Sequence, residues 1–466
     1  MIFRFREPRA ATYRPVVEPA SRLRVAERTE WLPAMPQDGT TNRVQLGSRI
    51  VLQLKAAADL ERLLKGRPVQ LARTVAPNTF ILQAPDAWAA AAQAQELAAS
   101  TEVTVCYPIM RRPAGALGAY AAQPNDSYYY AQWYLESRNP SDSSLAGVSL
   151  NVRAAWPWTL GEGITVAVAD TGIELDHPDL AARLAPASHE NFSDPNTNAA
   201  PAGGTEFWAH GTAVAGLVAA EGNNALGMTG VAPAARLASW VIFTPDRLFV
   251  SDEKLMDMFQ FQSNVVSVQN HSWSTLDKQL IQGGPTLLEQ IGISNAVTFG
   301  REGRGVVMVR SAGNDRALGA NANDDAYVSD PRVIAVGAVR ADNRFASYSE
   351  PGACLLVAAP SAETGAAGLF TTDLRGNKGA NPFNYLDPTL NDYRFNNLGF
   401  NGTSASAPLV AGVAALILSA NPKLTYRDVQ QILIHSARQF DPADPDLSTN
   451  GAGFVVSHNA GFGVPD

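Results

Sequence analysis

The sequence predicts an α/β fold, in which a mostly parallel sheet is flanked by helices, preceded by a small α+β domain. Three runs, ITVAVAD, GVVMVRSAG and RVIAVGAV, are almost continuously apolar, as strands buried on both faces require. Helical stretches such as HGTAVAGLVAAEG and SAPLVAGVAALILSAN lie between and after these strands. The length of 466 residues also fits more than one domain.

Composition along the chain predicts four segments. Residues 1–44 mix Pro, Arg, Glu and Thr without periodicity and are expected to form an irregular extension. Residues 45–112 contain three strand patterns (RIVLQLK, NTFILQAP and EVTVCYPI) and two helix patterns (ADLERLLKG and DAWAAAAQAQELAAS), which predict the small α+β domain. Residues 113–125 have the small residues and prolines of a linker, and residues 126–466 have the α/β pattern.

Charge and hydropathy argue against two kinds of partner. The net charge is −8 and clusters of Lys and Arg are scarce, so no nucleic-acid partner is expected. No run approaches the roughly 18 unbroken apolar residues that span a bilayer, so no membrane partner is expected either. The N-terminal residues lack the apolar stretch of a secretory signal, which at face value predicts a cytoplasmic protein. A natural start further upstream would instead make the protein secreted.

The two cysteines, Cys106 and Cys354, are far apart and lack metal-ligand spacing. Two buried thiols are favoured over a disulfide bond.

Three polar residues stand at the ends of buried segments. Asp170 ends the strand in GITVAVAD, and His210 begins an apolar helix in WAHGTAVAGLVAA, where Gly211 permits close backbone approach. Ser404 starts a long apolar helix in NGTSASAPLVAGVAALIL. Taken singly, each has an ordinary explanation as a turn residue, a helix cap or a satisfied polar group. Together, at strand ends and helix starts, they predict a catalytic triad.

The triad chemistry requires these residue types. A serine hydroxyl becomes a good nucleophile when a histidine takes its proton, and a buried carboxylate holds the imidazole in the required tautomer. The negatively charged oxygen of the tetrahedral intermediate also needs fixed hydrogen-bond donors. Asn314, in RSAGND, and the backbone amide of Ser404 are the candidate donors.

With these residues the chain resembles the subtilisin-like serine proteases, or subtilases. The family signatures correspond to VAVADTGIELDHPDL, HGTAVAGLVAA and GTSASAPLVAG, and its oxyanion asparagine corresponds to SAGN. AQWYLE, LNVRAAW, HSWS, SYSEPG and NPKLTYRDVQQIL are similar to the kexin and furin-like proprotein convertases. The resemblance runs from about Asp126 to the end of the chain. It implies a subtilisin-like fold and serine endopeptidase activity on peptide or protein substrates.

The resemblance also implies a substrate-binding site. In kexin-like proteases the residue before the cleaved bond, P1, is basic and enters an acidic pocket, S1. The pocket acids correspond to Asp277 and Asp325, and the substrate-binding segment corresponds to Ser272, Trp273 and Ser274. A basic side chain out of water needs such partners, although both acids could be ordinary loop carboxylates.

Some residues depart from the family pattern, and these departures narrow the substrate preference that the sequence predicts. Thr171 and Phe207 stand where the kexin-like branch has acids that bind the next substrate residue, and Gly283 replaces another pocket acid. The sequence therefore predicts cleavage after a single basic residue rather than strict dibasic processing.

A structural calcium site is a further implication of the resemblance. Calcium prefers hard oxygen ligands, and a turn-rich loop without an ion is the alternative. The ligands at the corresponding positions are the side chains of Asp126, Asp179 and Asn224, and the backbone carbonyls of Glu221, Leu226 and Met228 in EGNNALGM. A second family site would use Asp277 and Glu350, but Ala320 replaces its third acid, which leaves its occupancy open.

Residues 45–112 resemble a subtilase propeptide, which implies a zymogen whose own N-terminal domain assists folding and inhibits the active site. Arg111–Arg112 is a candidate processing site, although Pro113 would follow the cut; a site between Gly115 and Asn125 is the alternative. Kexin-like members continue into a β-rich P domain, which is expected to be absent from residues 1–466, as in a naturally shortened variant or a truncated chain.

Two rival functions remain open. A peptide macrocyclase would pass the acyl group to an amine instead of water. A pseudoprotease would bind peptides in the cleft without cleaving them, although the complete triad and Asn314 argue against it.

Overall fold

The computed structural model describes residues 13–15, 30–36, 44–55, 59–111, 120–137, 147–243, 250–274, 284–380, 391–394 and 399–466. The chain divides into two compact units, Met1–Leu117 and Gly118–Asp466.

The N-terminal unit contains an antiparallel sheet with strand order β1-β2-β3-β5-β4, and β6 also pairs with β3. Its elements are β1 (Tyr13–Pro15), β2 (Trp31–Pro36), β3 (Val44–Leu54), α1 (Leu60–Leu64), β4 (Gln70–Ala76), β5 (Thr79–Gln83), α2 (Ala87–Ala98) and β6 (Val103–Arg111). The alanine-rich face of α2 packs with Ile50, Leu52 and Leu82 in one hydrophobic core. Burial at this core also raises the pKa of the Cys106 thiol to about 12.

Three strands of this unit, β1, β2 and β4, differ from the sequence-based prediction, and β1 lies within the residues 1–44 that were expected to be irregular. Strand β2 lies within residues 1–44, which were expected to be irregular, and its Leu32 and Ala34 are buried in the core. Strand β4 was not predicted, and all seven of its residues are exposed. An exposed strand needs no buried face, so its sequence shows no apolar alternation.

The C-terminal unit is built on a seven-stranded parallel sheet with strand order β13-β12-β11-β10-β7-β9-β8. The strands are β7 (Thr165–Asp170), β8 (Glu190–Asn191), β9 (Arg236–Val241), β10 (Val268–His271), β11 (Val307–Ser311), β12 (Val333–Val339) and β13 (Leu355–Pro360). The helices are α3 (Val152–Ala155), α4 (Glu206–Ala219), α5 (Asp252–Gln260), α6 (Leu287–Gly303, irregular from Gly300), α7 (Thr403–Ala420) and α8 (Tyr426–Ser436). The α/β prediction is therefore confirmed.

Short antiparallel pairs complete the described part of this unit. They are β14 (Thr371–Thr372) with β15 (Tyr393–Arg394), β16 (Ala437–Arg438) with β19 (Val464–Pro465), and β17 (Ser448–Thr449) with β18 (Val455–Val456).

Strand β7 shows why a central strand of this sheet contains an unbroken apolar run. Val166 and Val168 belong to the core that includes residues of α4 and α7, whereas Ala167 and Ala169 belong to the core that includes residues of α5 and α6. Both faces of the sheet are therefore covered by helices, which explains the apolar run Val166–Ala169 inside the strand.

Helix α7 is long and apolar enough to cross a membrane by length and composition. However, 72% of that stretch is buried inside the protein. Helix α7 packs against α4 and against strands β10–β13, which is typical of a core helix.

The order of the strands defines where a site is expected. After β7 the chain places β8 and β9 on one side of that strand, and then β10, β11, β12 and β13 on the other side. The carboxyl ends of β7 and β10 therefore lie at a topological switch point, where α/β sheets form their ligand-binding crevice.

Cys106 is buried, as predicted, whereas Cys354 is half-buried. Both thiols are free, so the two cysteines do not form a disulfide bond.

Candidate active site

Asp170 and His210 form a hydrogen-bonded pair at the carboxyl end of β7. Asp170 is the last residue of that strand, and its side chain is 2% exposed. The Nδ1 atom of His210 lies 2.9 Å from both Oδ1 and Oδ2 of Asp170. His210 does not begin its helix as expected, because α4 starts four residues earlier at Glu206. A buried carboxylate in this position fixes the imidazole tautomer with its proton on Nδ1.

The close contact between α4 and the segment after β7 depends on glycine. A Cβ atom on Gly211 would lie 2.4 Å from the backbone oxygen of Gly172, which is too close for any side chain. Gly172 itself has a φ of +101°, a conformation that other residues rarely adopt. The two glycines let the backbones meet, and this contact brings the His210 side chain to Asp170.

Thr171 connects the same two elements, a role that the sequence did not reveal. Its backbone amide donates to Asp170 Oδ1 at 2.7 Å, and its hydroxyl oxygen accepts the amide of Gly211 at 3.0 Å. The side chain is buried, so Thr171 orients the Asp170 carboxylate. Phe207, the second residue that departs from the family pattern, is 38% exposed.

Ser404 lies at the second position of α7, after Gly402, whose φ is +78°. The Ser404 hydroxyl donates to the carbonyl of Ser272 at 3.1 Å, and the Ser272 hydroxyl donates to the carbonyl of Ser404 at 2.9 Å. Ser272 directly follows β10, whose His271 pairs in register with Ala169 of β7. Ser404 is therefore held at the carboxyl end of the strand next to the one that carries Asp170.

A ring contact also links the Ser404 segment to His210. The His210 imidazole packs edge-on against the ring of Phe400, four residues before Ser404, with ring centroids 5.3 Å apart. The structure thus gathers the three predicted triad residues around the ends of β7 and β10.

Asn314 follows β11, and Thr403 orients its side chain. The backbone amide and the hydroxyl of Thr403 both contact Asn314 Oδ1, at 2.8 and 3.0 Å. The Thr403 hydroxyl also accepts the amide of Gly313 at 3.1 Å. Because Oδ1 receives both donors, the Nδ2 amide group of the exposed Asn314 side chain is the one available to a substrate oxygen.

Asn314→Ala is expected to lower kcat by about 10²–10³-fold, because it removes one oxyanion donor. Thr403→Val, which keeps the side-chain shape but removes the hydroxyl, is expected to cause a smaller loss of about tenfold by freeing the amide to rotate. Both effects should appear in kcat rather than KM, measured on one peptide substrate. Equal kcat values for Asn314→Ala and the unchanged protein would contradict the assigned donor.

The structure describes some of the predicted substrate-binding residues but not all of them. Ser272, Trp273 and Ser274 follow β10 beside Ser404, whereas Asp277 and Gly283 lie outside the described residues. Asp325 is buried and already paired: its Oδ2 accepts from Arg310 at 3.1 Å, and its Oδ1 accepts the amides of Tyr327 and Val328 at 3.0 Å. Both oxygens of the Asp325 carboxylate therefore have partners within the protein.

The expected calcium ligands cluster around the loop after α4. Asp126 accepts the amides of Asn223 and Asn224 at 2.9 and 3.3 Å. Asp179 accepts from the Asn224 side chain at 2.8 Å and from the Met228 amide at 2.9 Å. Burial raises the pKa of Asp179 to about 7, and the nearby charge of Asp126 adds to this effect.

The donor chemistry at this loop fits Ca²⁺. Two buried carboxylates and one amide are hard oxygen donors, and nearby backbone carbonyls can complete the ligand set. The Glu221 carboxylate pairs with Arg183 at 3.0 Å, so its carbonyl is the part open to an ion. In the part of the chain that the structure describes, no group of three or more His, Cys, Asp or Glu side chains is arranged to hold a metal.

The second expected calcium site is only partly described. Glu350 is fully buried and accepts the amide of Asp315 at 3.2 Å, and Ala320 is also buried. Its other acid, Asp277, lies outside the described residues.

The fold and this arrangement are those of a class of serine hydrolases. In this class an Asp–His pair and a serine at the start of a helix lie at the carboxyl edge of a parallel sheet. Residues 161–463 match the subtilase family, Peptidase S8. The chain belongs to that family.

Two curated relatives support membership in the subtilase family. The chain is 32% identical to the human "Proprotein convertase subtilisin/kexin type 4" over 353 residues, which cover 74% of this chain and 42% of that protein. It is 33% identical to the "Dibasic-processing endoprotease" of Schizosaccharomyces pombe over 347 residues, which cover 73% of this chain and 44% of that protein. The chain spans less than half the length of these curated relatives.

Solved structures show the same fold. The serine protease of Aeromonas sobria matches with a TM-score of 0.65 and 26% identity, covering 75% of this chain and 67% of that one. A complex of the Aeromonas sobria protease with a chaperone matches with a TM-score of 0.63 and 25% identity, covering 73% of this chain and 65% of that one. The subtilisin-like fold and the similarity to kexin-like proteases are thus confirmed.

Proposed function

We propose that the protein is a serine endopeptidase that hydrolyses peptide bonds through an acyl-enzyme on Ser404. The observation that carries the proposal is the Asp170–His210 hydrogen bond beside the strand end that holds Ser404. Membership in the subtilase family supports the same chemistry.

The mechanism follows from the positions of these groups. The Ser404 hydroxyl has one proton, which it now donates to Ser272, so attack requires the hydroxyl to turn toward His210. His210 Nε2 takes this proton while Oγ bonds to the substrate carbonyl carbon, and Asp170 stabilises the imidazolium that forms. Asn314 Nδ2 and the Ser404 amide stabilise the oxyanion. The imidazolium then protonates the leaving amine. In the second half of the reaction, water gives a proton to His210 and attacks the acyl-enzyme. This releases the carboxylic acid product and restores the Ser404 hydroxyl.

A basic P1 preference is the narrower part of the proposal. Its support is the similarity to kexin-like proteases and the presence of Asp277 in the sequence. Asp325 adds little to this support, because Arg310 already pairs with it. An aromatic or aliphatic preference in a P1-varied peptide library would contradict the basic preference and leave the endopeptidase proposal intact.

Product analysis separates the proposal from its rivals. We expect mass spectrometry of peptides incubated with the full chain to show two linear fragments with a new amino terminus. A cyclic product that has lost the leaving segment would support a macrocyclase. Intact peptide, together with no reaction between Ser404 and a fluorophosphonate, would support a peptide-binding pseudoprotease.

We further propose that the N-terminal unit is a propeptide, an intramolecular chaperone and inhibitor of the catalytic unit. The antiparallel sheet and two helices within residues 44–55 and 59–111, and the division of the chain near residue 117, support this proposal.

We also propose one structural Ca²⁺ held by Asp126, Asp179, Asn224 and neighbouring carbonyls, where it would offset the charge of the two buried carboxylates. Removing it with EGTA is expected to lower the Tm by about 5–10 °C, measured by calorimetry on the Ser404→Ala chain to prevent self-digestion. Added Ca²⁺ should restore the Tm, and added Mg²⁺ should not. A Tm that is insensitive to both EGTA and Ca²⁺ would contradict the site.

A further inference from the structure

Arg310 is a buried arginine beside the substrate-binding segment. It lies on β11 and pairs in register with His271, the residue before Ser272. Its side chain is 0% exposed. A buried cation requires a partner inside the protein.

The surroundings of Arg310 are those that a basic ligand would need. The guanidinium carbon lies 4.2 Å from the ring centroids of both Trp273 and Tyr327. Its Nη2 donates to Asp325 Oδ2 at 3.1 Å. Two aromatic faces and a carboxylate are the groups that hold an arginine side chain by cation–π contact and a charge-assisted hydrogen bond. In this chain they already hold an arginine of the protein itself.

This pairing removes Asp325 as a source of basic preference. Its charge is balanced by Arg310, and its other oxygen accepts two backbone amides. A second cation entering the same region would meet the positive charge of Arg310 as well as the carboxylate. The Arg310 charge is also felt by its neighbour His271, where burial and this charge together keep the pKa far below its usual range.

We propose that Arg310 is a specificity-determining residue, which retains Asp325 in an internal ion pair and thereby limits the S1 preference for basic side chains. The inference rests on the proposed endopeptidase function and refines its substrate preference. Of the two acids that the family resemblance implied, Asp277 is then the one left to attract a basic P1 side chain.

The test compares kcat/KM for two peptides that differ only in P1, arginine or its uncharged isostere citrulline. Arg310→Met is expected to raise the arginine-to-citrulline ratio by about tenfold or more, because it frees the Asp325 charge. Arg310→Lys keeps the charge and is expected to stay within about threefold of the unchanged protein. A general structural disturbance would lower both kcat/KM values and leave their ratio unchanged. An unchanged ratio in folded Arg310→Met would overturn the inference.

A double variant covers the case in which Arg310→Met does not fold, since that change leaves a buried carboxylate unpaired. Arg310→Met with Asp325→Asn removes both charges, and its ratio is expected to stay within about threefold of the unchanged protein. A tenfold lower ratio would show that Asp325 binds the P1 cation directly, which contradicts the inference. Failure of the unchanged protein to cleave either peptide or to react with a fluorophosphonate would instead overturn the endopeptidase proposal on which the inference rests.

Discussion

Replacing Ser404 with alanine is expected to lower kcat by about 10³–10⁶-fold, because no other hydroxyl can form the acyl-enzyme. The variant should also lose covalent labelling by a fluorophosphonate. If the N-terminal unit is a propeptide removed by the enzyme itself, the Ser404→Ala chain should keep its original N-terminus on incubation, whereas the unchanged chain should acquire a new one. Amino-terminal sequencing before and after incubation measures this directly.

Ser406→Ala is a matched control on the same helix. Ser406 is buried, and its hydroxyl donates to the carbonyl of Ala359 at 2.9 Å, away from the Asp170–His210 pair. Its loss should cost about 1 kcal/mol of stability but leave labelling and cleavage in place. Full labelling of Ser404→Ala, or loss of labelling in a folded Ser406→Ala protein, would contradict the assignment of Ser404 as the nucleophile.

The second large effect is expected for Asp170→Asn, which should lower kcat by about 10⁴-fold at neutral pH. The Thr171 amide donates to Oδ1 at 2.7 Å, so the amide oxygen of the new asparagine should take that position. The NH₂ group would then occupy the Oδ2 position, 2.9 Å from His210 Nδ1. As a donor it would favour the tautomer with the proton on Nε2, which cannot accept the proton of Ser404.

Asp176→Asn offers a control in the same loop. The Asp176 side chain is 70% exposed and pairs with Arg375 at the surface, so its replacement should change kcat by less than about twofold. Kinetics of both variants on one peptide, with circular dichroism to verify folding, provide the measurement. An Asp170→Asn protein with half or more of the original kcat would rule out the proposed role of the carboxylate.

The features that could be predicted from the sequence are those whose physical cause lies within a short run of residues. Strands β7, β11 and β12 were recognisable because both of their faces are buried, and Asp170 because it directly follows such a run. Strand β4 could not be recognised, since its residues are all exposed and place no demand on side-chain type.

The roles missed in the site depend on contacts between distant segments. Thr171 and Thr403 act through hydrogen bonds to Gly211 and Asn314, 40 and 89 positions away. The Arg310–Asp325 pair forms because β11 and a later loop meet in the folded protein. A single sequence contains the carboxylate and the arginine but does not indicate that each neutralises the other.

The close backbone contact between Gly211 and Gly172 limits which positions of this protein can be changed. The separation between the imidazole and its carboxylate is set by two stretches of main chain, which the Thr171 hydroxyl joins by accepting the Gly211 amide. Glu206 is constrained by its ion pair with Arg394 at 2.7 Å, whereas the 38% exposed Phe207 can be varied for substrate range. Position 211 offers no such freedom, and a mutational library should retain glycine there in every active clone.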